Sequence, residues 1–402
     1  MSTVTSPLIQ QFLQLDDVLS RYVSLWQGMP FDSLDLPWRE SHPELCDWLD
    51  TQSLASLQAY KEDPATLLKA VSAWLPECET LTDMSSVAEN EVSDITCDEQ
   101  WSTGIPGRKW SQIQAFNQSL PIEKQSHWLE WCAGKGYLGR VLAASRQAQV
   151  TSLEWQQALC EDGQTYADKH HLSMDFVHGD AFAPESKALL SGCDHAVALH
   201  ACGDLHVTLL QHAVGTDVQT VSVSPCCYHL IKDTKYQPLS TVGKQSALSL
   251  SRHDLKLPLQ ETVTAGQTVK NKRFVEVSFR LGFDALQRNL NKVDCYLPVP
   301  NVQKSLLNEG FSVFCQWAAE QKNMTLPDDI DFDHYQKMGE ARFHHVEKME
   351  TVRTLFRRPL EMWLVLDRAI YMLENGFDVD VTTFCERDLT PRNLFIHARR
   401  KG

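Results

Sequence analysis

An α/β fold with a mainly parallel sheet and helices on both faces is predicted by three features of the sequence. From residue 105, short apolar runs of β type alternate with stretches whose apolar residues recur at helical spacing. The first run passes into the first helix through a glycine-rich stretch, "WLEWCAGKGYLGRVLAA" (128–144). The next two runs end in acids, Glu154 and Asp180, where an open parallel sheet places its ligand crevice.

The elements follow in order. "HWLEWCA" is the first strand and "LGRVLAASRQ" its helix; "AQVTSLEW" is the second strand, followed by a helix over "QQALCEDGQTYADKH". "MDFVHGDAF" is the third, "HAVALHACGDL" the fourth and "VQTVSVSPCCYH" the fifth. "GFDVDVTTF" and "TPRNLFIHARR", separated by "CERDL", form an antiparallel hairpin that closes the sheet edge. Between strand five and this hairpin lies an insertion, 232–355. In it "ALSLSRHDLKLPLQE" reads as a helix and loop, and "VTAGQTVKNKRFVEVSFRLGFDALQRNL" and "VQKSLLNEGFSVFCQWAAEQ" read as one helix each. "RTLFRRPLEMWLVLDRAIYMLENG" is the helix before the hairpin.

The first quarter differs in texture. After Ser6-Pro7, a helix start, Leu8, Phe12, Leu15, Leu19, Tyr22 and Trp26 recur at helical spacing, and "SLASLQAY" and "ATLLKAVSAWLPE" read the same way. The expected organisation is an acidic helical module (1–78), a linker (79–103), a sheet domain (104–231 and 356–402) and the mostly helical insertion (232–355). Residues 1–100 carry 18 acidic and 4 basic side chains, whereas the remainder carries 34 and 33, so almost all of the net charge of −15 sits in this quarter. The acidic module suits a protein partner, and the rest is electrostatically open to RNA. With no long apolar run and no export signal, a cytoplasmic, non-membrane protein is expected, its 12 cysteines being buried thiols of a reducing compartment.

Each candidate site residue has a plain alternative. The glycine loop is either a tight strand-to-helix turn or a loop that lets backbone approach a nucleotide-type ligand. Glu154, about 20 residues beyond the loop, is a ribose-binding acid or a solvated strand-end carboxylate. Asp180 is a base-reading acid or a helix cap. Together the three specify a nucleoside cofactor, either a dinucleotide or S-adenosylmethionine. Leu138, where a dinucleotide loop would have its packing glycine, and the closing hairpin favour the latter. "CCYH" also invites a metal. Adjacent cysteines on a strand point to opposite sides, and only Cys202, Cys193 or His200 would complete a site, so buried thiols and no metal are expected.

In "GIPGRKWSQI" (104–113), "CAGKGYL" (132–138), "ALHACGDL" (198–205), "SPCCYHL" (224–230) and "LTPRNLFI" (389–396) the sequence resembles the class I S-adenosylmethionine-dependent methyltransferases. The specific group includes the methyltransferase region of the glutathione S-transferase C-terminal domain-containing protein and tRNA 2′-O-methyltransferases. The resemblance implies a Rossmann-like sheet, S-adenosylmethionine as cofactor, and methyl transfer to RNA, with a protein or small-molecule acceptor, or a non-catalytic binding protein, as alternatives. It implies that Cys132, Ala133, Gly134 and Gly136 shape the loop around the methionine part, that Glu154 holds the ribose, and that Asp180 and Ala181 lie by the adenine, with His200 also at the cofactor. Asp204 and the Pro225–His229 loop would face the methyl group, with His229 as candidate base and Tyr228 as a stacking or hydrogen-bonding platform. Arg108, Lys109, Lys272, Arg273 and Arg392 are the candidate substrate-binding cations. One departure stands out. Members commonly begin the loop with an acid near the cofactor's amino group, and here Cys132 stands in the loop while Glu130 lies two residues back.

Overall fold

The computed structural model describes residues 6–122, 126–260 and 267–402. The first five residues of the expected acidic module and the start of the expected long helix, 263–266, lie outside the described residues. Contacts divide the chain into two compact units, one drawn from Met1–Ser20, Thr82–Glu261 and Arg358–Gly402, the other from Arg21–Leu81 and Thr262–Arg357.

The first unit holds a seven-stranded sheet: β1 (His127–Trp131), β2 (Gln149–Glu154), β3 (Met174–His178), β4 (His195–Ala198), β5 (Thr220–Val223), β6 (Phe377–Thr383) and β7 (Leu394–Arg400). Their order is β3-β2-β1-β4-β5-β7-β6. The first five strands are parallel, while β7 runs antiparallel to both β5 and β6. The expected hairpin is therefore present and joins through β7. β4 and β5 are buried at every position, as strands covered on both faces must be, which explains their unbroken apolar sequences. Strand order reverses between β1 and β4, so the loops leaving their carboxyl ends open a crevice there.

Two further segments join this unit. In helix Pro7–Arg21, Phe12 packs 5.1 Å from the Trp363 ring and Asp16 accepts the Trp363 indole N–H at 2.8 Å. The expected linker is tied down. Thr383 N–H donates to Ala88 O at 3.0 Å and Asn90 N–H to Thr383 O at 2.9 Å, extending the sheet edge beyond β6, and Cys97 is buried in the core. Backbone pairing has no compositional signature, so a polar, acidic stretch read as a connection.

The second unit, among the described residues, is helical. Helices Pro43–Asp50, Leu54–Glu62 and Pro64–Val71 share it with Gln267–Asn291, Phe311–Gln321 and the first part of Phe332–Glu374. Phe279, Phe283, Phe311 and Phe314 lie at the centre of its core. The helix expected over 302–321 is two, Lys304–Leu307 and Phe311–Gln321, broken at Gly310. The helix before the hairpin starts at Phe332, well before the expected 353.

Ion pairs link the acidic early segment with the later basic one inside this unit. Lys270 pairs with Glu62 at 2.7 Å and Lys348 with Asp50 at 2.7 Å, while Glu347 takes both Lys61 and Arg273. Arg288 and Arg342 converge on the fully buried Asp284 at 2.8 and 2.6 Å. The grouping thus departs from a free-standing 1–78 module and a separate 232–355 insertion, because complementary charges far apart in sequence meet. Among the described residues no helix is long and apolar enough to cross a membrane.

Candidate active site

The glycine loop follows β1. Cys132, Gly134 and Gly136 all have positive φ (58°, 61° and 66°), so the chain coils tightly and enters helix Tyr137–Arg146 with Gly136 as its cap. Around Gly134 a Cβ would meet nothing within 4 Å, which leaves that backbone open. At Gly136 a Cβ would lie 2.4 Å from Phe176 Cζ, so this glycine serves packing behind the loop.

Glu154 ends β2 and faces the loop. One carboxylate oxygen accepts Gly134 N–H at 2.9 Å and the other accepts Gln156 N–H at 2.9 Å, which fixes the side chain while leaving lone pairs for further donors. Asp180 follows β3; its Oδ1 accepts Phe182 N–H at 2.9 Å in a tight turn, and its residue is exposed. A cavity of about 450 Å³ lies against Cys132, Gly134, Glu154, Asp180 and Ala181, with Trp155 and Leu205 also at its wall. That size and its largely apolar lining with two acids suit a nucleoside ligand. Ala133 and Gly136 are behind this wall: Ala133 N–H donates to Leu153 O and Gly136 N–H to Ala133 O.

The cavity also brings in residues that sequence reasoning did not single out. Trp155 and Phe182 remain 68% and 54% exposed, which is unusual for large rings and places apolar faces at its rim. Their adjacency to the two acids, in "LEW" and "GDAF", was the available signal.

Glu130 points away from the cavity. It accepts the Ser152 hydroxyl at 2.9 Å and the backbone amides of Gly139 and Leu138 at the start of the helix. Burial pushes its carboxyl up to about 7, against partial relief from those donors. Because the folded-state value is raised above an unfolded value of about 4.5, the stabilising contribution is complete below about pH 4.5 and is lost as pH rises through about 7. Glu130→Gln removes this titration. Its stability relative to the parent should rise by about 3 kcal/mol between pH 5 and 8, read from urea unfolding at both values; a constant difference would show that the carboxyl is ionised throughout.

The other candidates gather where β4 and β5 end. Asp204 begins helix Asp204–Val214 and accepts Lys232 N–H at 2.6 Å, and Asp204 N–H donates to Leu230 O at 3.0 Å. Asp204 therefore fastens the two loops together. Tyr228 departs from the expected platform. It is fully buried, its hydroxyl 3.3 Å from Pro225 O and from Glu361 Oε1, with the Arg368 guanidinium 5.3 Å from its ring. A side chain sealed against the long helix cannot stack on a substrate. His229 is half-buried and its Nδ1 has no hydrogen-bond partner. Burial lowers its pKa, partly opposed by the nearby Cys227 sulfur.

Cys227 has φ +49°, and hydrogen bonds from the Cys202 and Cys226 thiols hold it on the thiolate side of the ordinary range. His200 is exposed as a residue, yet its ring is stripped of water by the cleft around it. With the Lys109 ammonium nearby, its pKa falls to about 4. Loss of water also pushes the Cys132 thiol up to about 12, with Glu154 adding to the effect, so Cys132 is a neutral wall of the cavity.

The cations divide between the units. Arg108 donates to Leu389 O at 2.8 Å, Lys109 sits 4.8 Å over the Tyr137 ring, and Arg392 donates to Leu259 O at 2.8 Å, all in the sheet unit. Lys272 and Arg273 belong to the helical unit, where Lys272 is exposed and Arg273 pairs with Glu347 at 2.5 Å. Lys270, Arg280 and Arg288 are likewise paired, with Glu62, Glu276 and Asp284. The basic stretch is thus largely neutralised within its own unit.

Residues 108–234 match the family model of a methyltransferase domain. These residues, about a third of the chain, carry a methyltransferase domain. The sheet, with five parallel strands and a closing antiparallel hairpin, is the Rossmann-like α/β architecture that the sequence resemblance implied. Among solved structures, the chain is similar to the fibrillarin of Aeropyrum pernix in complex with natively bound S-adenosyl-L-methionine (16% identity, 29% of this chain and 55% of that one, TM-score 0.25). It is also similar to TrmN from Thermus thermophilus (16% identity, 28% and 36%, TM-score 0.25). A third match is to a complex of the Haloferax volcanii Trm112 methyltransferase activator with a putative methyltransferase (19% identity, 31% and 56%, TM-score 0.24). The matches span about half, or less, of those chains.

Proposed function

We propose that this chain transfers a methyl group from S-adenosylmethionine to RNA, tRNA or rRNA being the favoured classes. The observation that carries the catalytic reading is the cavity of about 450 Å³ in which the open Gly134 backbone, Glu154 and Asp180 converge at the strand carboxyl ends. Bound there, S-adenosylmethionine supplies an electrophilic methyl group. The protein's own task is then to hold donor and acceptor in line. Glu154 accepts the ribose hydroxyls with the lone pairs its backbone amides leave unused, and Asp180 accepts the exocyclic amino group of the base. Cys132 and Gly134 bound the side toward the methyl group, and the half-buried His229, on the loop after β5, is the candidate base.

The RNA reading rests on the sheet unit's own cations. Lys109 is close enough to His200, Lys256 to His229 and Arg392 to Cys227 to shift those groups electrostatically, so three positive charges border the acceptor side. Phosphates are the natural counter-charge for such a rim. The paired cations of the helical unit favour the second reading, a protein or small-molecule acceptor.

Radiolabelled methyl transfer to fractionated RNA and protein decides between them. The expected result is label in RNA, with Lys256→Ala weakening RNA binding and reducing its salt dependence by about one phosphate contact. Label in protein alone would overturn the RNA reading, and no label in any fraction would favour a non-catalytic binding protein. The cytoplasm, where tRNA and ribosomes reside, is the location that goes with this proposal.

A further inference from the structure

Three cysteines that the sequence placed in different strands and orientations come together beside this site. Cys202 follows β4 and Cys226 follows β5; the two form a bridge of parallel type, with Gly203 N–H donating to Cys226 O at 3.0 Å. Their sulfurs lie 3.7 Å apart. Cys227 was expected to point away, because neighbours on an extended strand alternate. Its left-handed backbone, φ +49°, cancels that alternation, and the three sulfurs all fall within 4.8 Å of one another.

We propose that Cys202, Cys226 and Cys227 form a three-thiolate site for a zinc ion between the loops after β4 and β5, with the fourth position open. The geometry carries it. Tetrahedral zinc with Zn–S bonds of about 2.3 Å requires sulfurs about 3.8 Å apart, the separation that Cys202 and Cys226 already have. The widest remaining separation needs to shorten by about 1 Å at most, within reach of small thiol rotations. Three protein ligands with a free fourth position is the pattern of a zinc that keeps one site for water or a substrate, unlike the closed four-ligand structural sites. Two further features fit an anionic thiolate–zinc group: Arg392 lies close enough to Cys227 to act on it electrostatically, and the buried His229 Nδ1 beside it lacks a partner. A soft d¹⁰ ion is the class selected, since among the described residues the cluster consists of three cysteine sulfurs and includes no carboxylate. Expecting no metal from the sequence depended on the alternation that Cys227 breaks.

The test uses the full chain, purified reduced and exposed to a small excess of zinc, then desalted. Elemental analysis should find about one zinc per chain, and cobalt(II) added to metal-free protein should give the intense visible bands of tetrahedral thiolate coordination. Cys202→Ser, Cys226→Ser and Cys227→Ser should each weaken zinc binding by at least about tenfold in competition with a chromogenic chelator. Cys295→Ser, at an exposed thiol of the helical unit, should leave it unchanged. The wild-type result decides the matter even if a variant fails to fold. Zinc-free protein with a featureless cobalt spectrum, or conversion of Cys202 and Cys226 to a disulfide with no metal uptake by the reduced form, would overturn the proposal. These readouts do not depend on methyl transfer, so a failed acceptor screen leaves them intact.

Discussion

Replacing Glu154 with alanine is expected to lower the affinity for S-adenosylmethionine by about 100-fold, or about 3 kcal/mol. That is the loss of charge-assisted hydrogen bonds to the ribose at about 1.5–3 kcal/mol each. The carboxylate also ties Gly134 to Gln156, accepting both amides at 2.9 Å, so the same substitution loosens the glycine loop. Glutamine is a poor substitute here, since its NH₂ group would confront one of those N–H donors. Calorimetry on the folded variant measures the effect. A change of less than about threefold would mean that Glu154 is only a strand-end carboxylate fixing the loop.

The second large effect is on stability. Asp367 is fully buried on the long helix and accepts four hydrogen bonds: the Tyr236 hydroxyl at 2.5 Å, Leu239 N–H at 2.8 Å, Ser240 N–H at 2.9 Å and the Ser240 hydroxyl at 2.7 Å. The Tyr236 hydroxyl in turn accepts from Arg368 at 3.0 Å, and Arg368 Nε–H donates to His206 Nε2 at 2.8 Å. His206 Nδ1 meets Ala201 O at 2.9 Å, so the network runs from the long helix to the loop after β4. Burial, reinforced by Arg368, lowers the His206 pKa to about 3, which keeps the ring neutral and able to accept from the guanidinium. Asp367→Ala leaves the Tyr236 hydroxyl, the Ser240 hydroxyl and the Leu239 and Ser240 amides, all buried, without their acceptor. The expected loss is about 3–5 kcal/mol in urea unfolding, with Asp367→Asn losing less because its carbonyl keeps part of the set. A loss below about 1 kcal/mol would show that the loop 236–240 reorganises around the gap.

What the sequence made legible, and what it concealed, follows from the range of the interactions involved. The parallel sheet was readable because each strand and helix advertises itself locally: "HAVA" and "TVSV" are apolar without break since both faces are covered, and Glu154 and Asp180 stand where their strands stop. The loop glycines were readable for the same reason. The helical unit was not, because its unity comes from pairs such as Asp50 with Lys348 and Glu62 with Lys270, nearly 300 and just over 200 residues apart, which no local pattern records. In sequence Arg273 of the same unit stood as a candidate substrate-binding cation, and it pairs with Glu347.

Two single residues were misread for conformational reasons. Tyr228 looked like an exposed loop aromatic, yet it is sealed by Glu361 and Arg368 from a helix more than 130 residues later. Cys227 looked like a strand residue pointing away from Cys226, and one left-handed φ reverses that. Tertiary packing and a backbone angle decided these positions, and neither is a property of the surrounding sequence.

The most direct test of the account is calorimetric titration of the intact chain with S-adenosylmethionine, with S-adenosylhomocysteine and NAD alongside. The account predicts micromolar binding of both sulfur nucleosides, about −8 kcal/mol, lost in Asp180→Ala, and no comparable heat with NAD. Binding of NAD in their place, or affinity for S-adenosylmethionine that Asp180→Ala leaves unchanged, would contradict it.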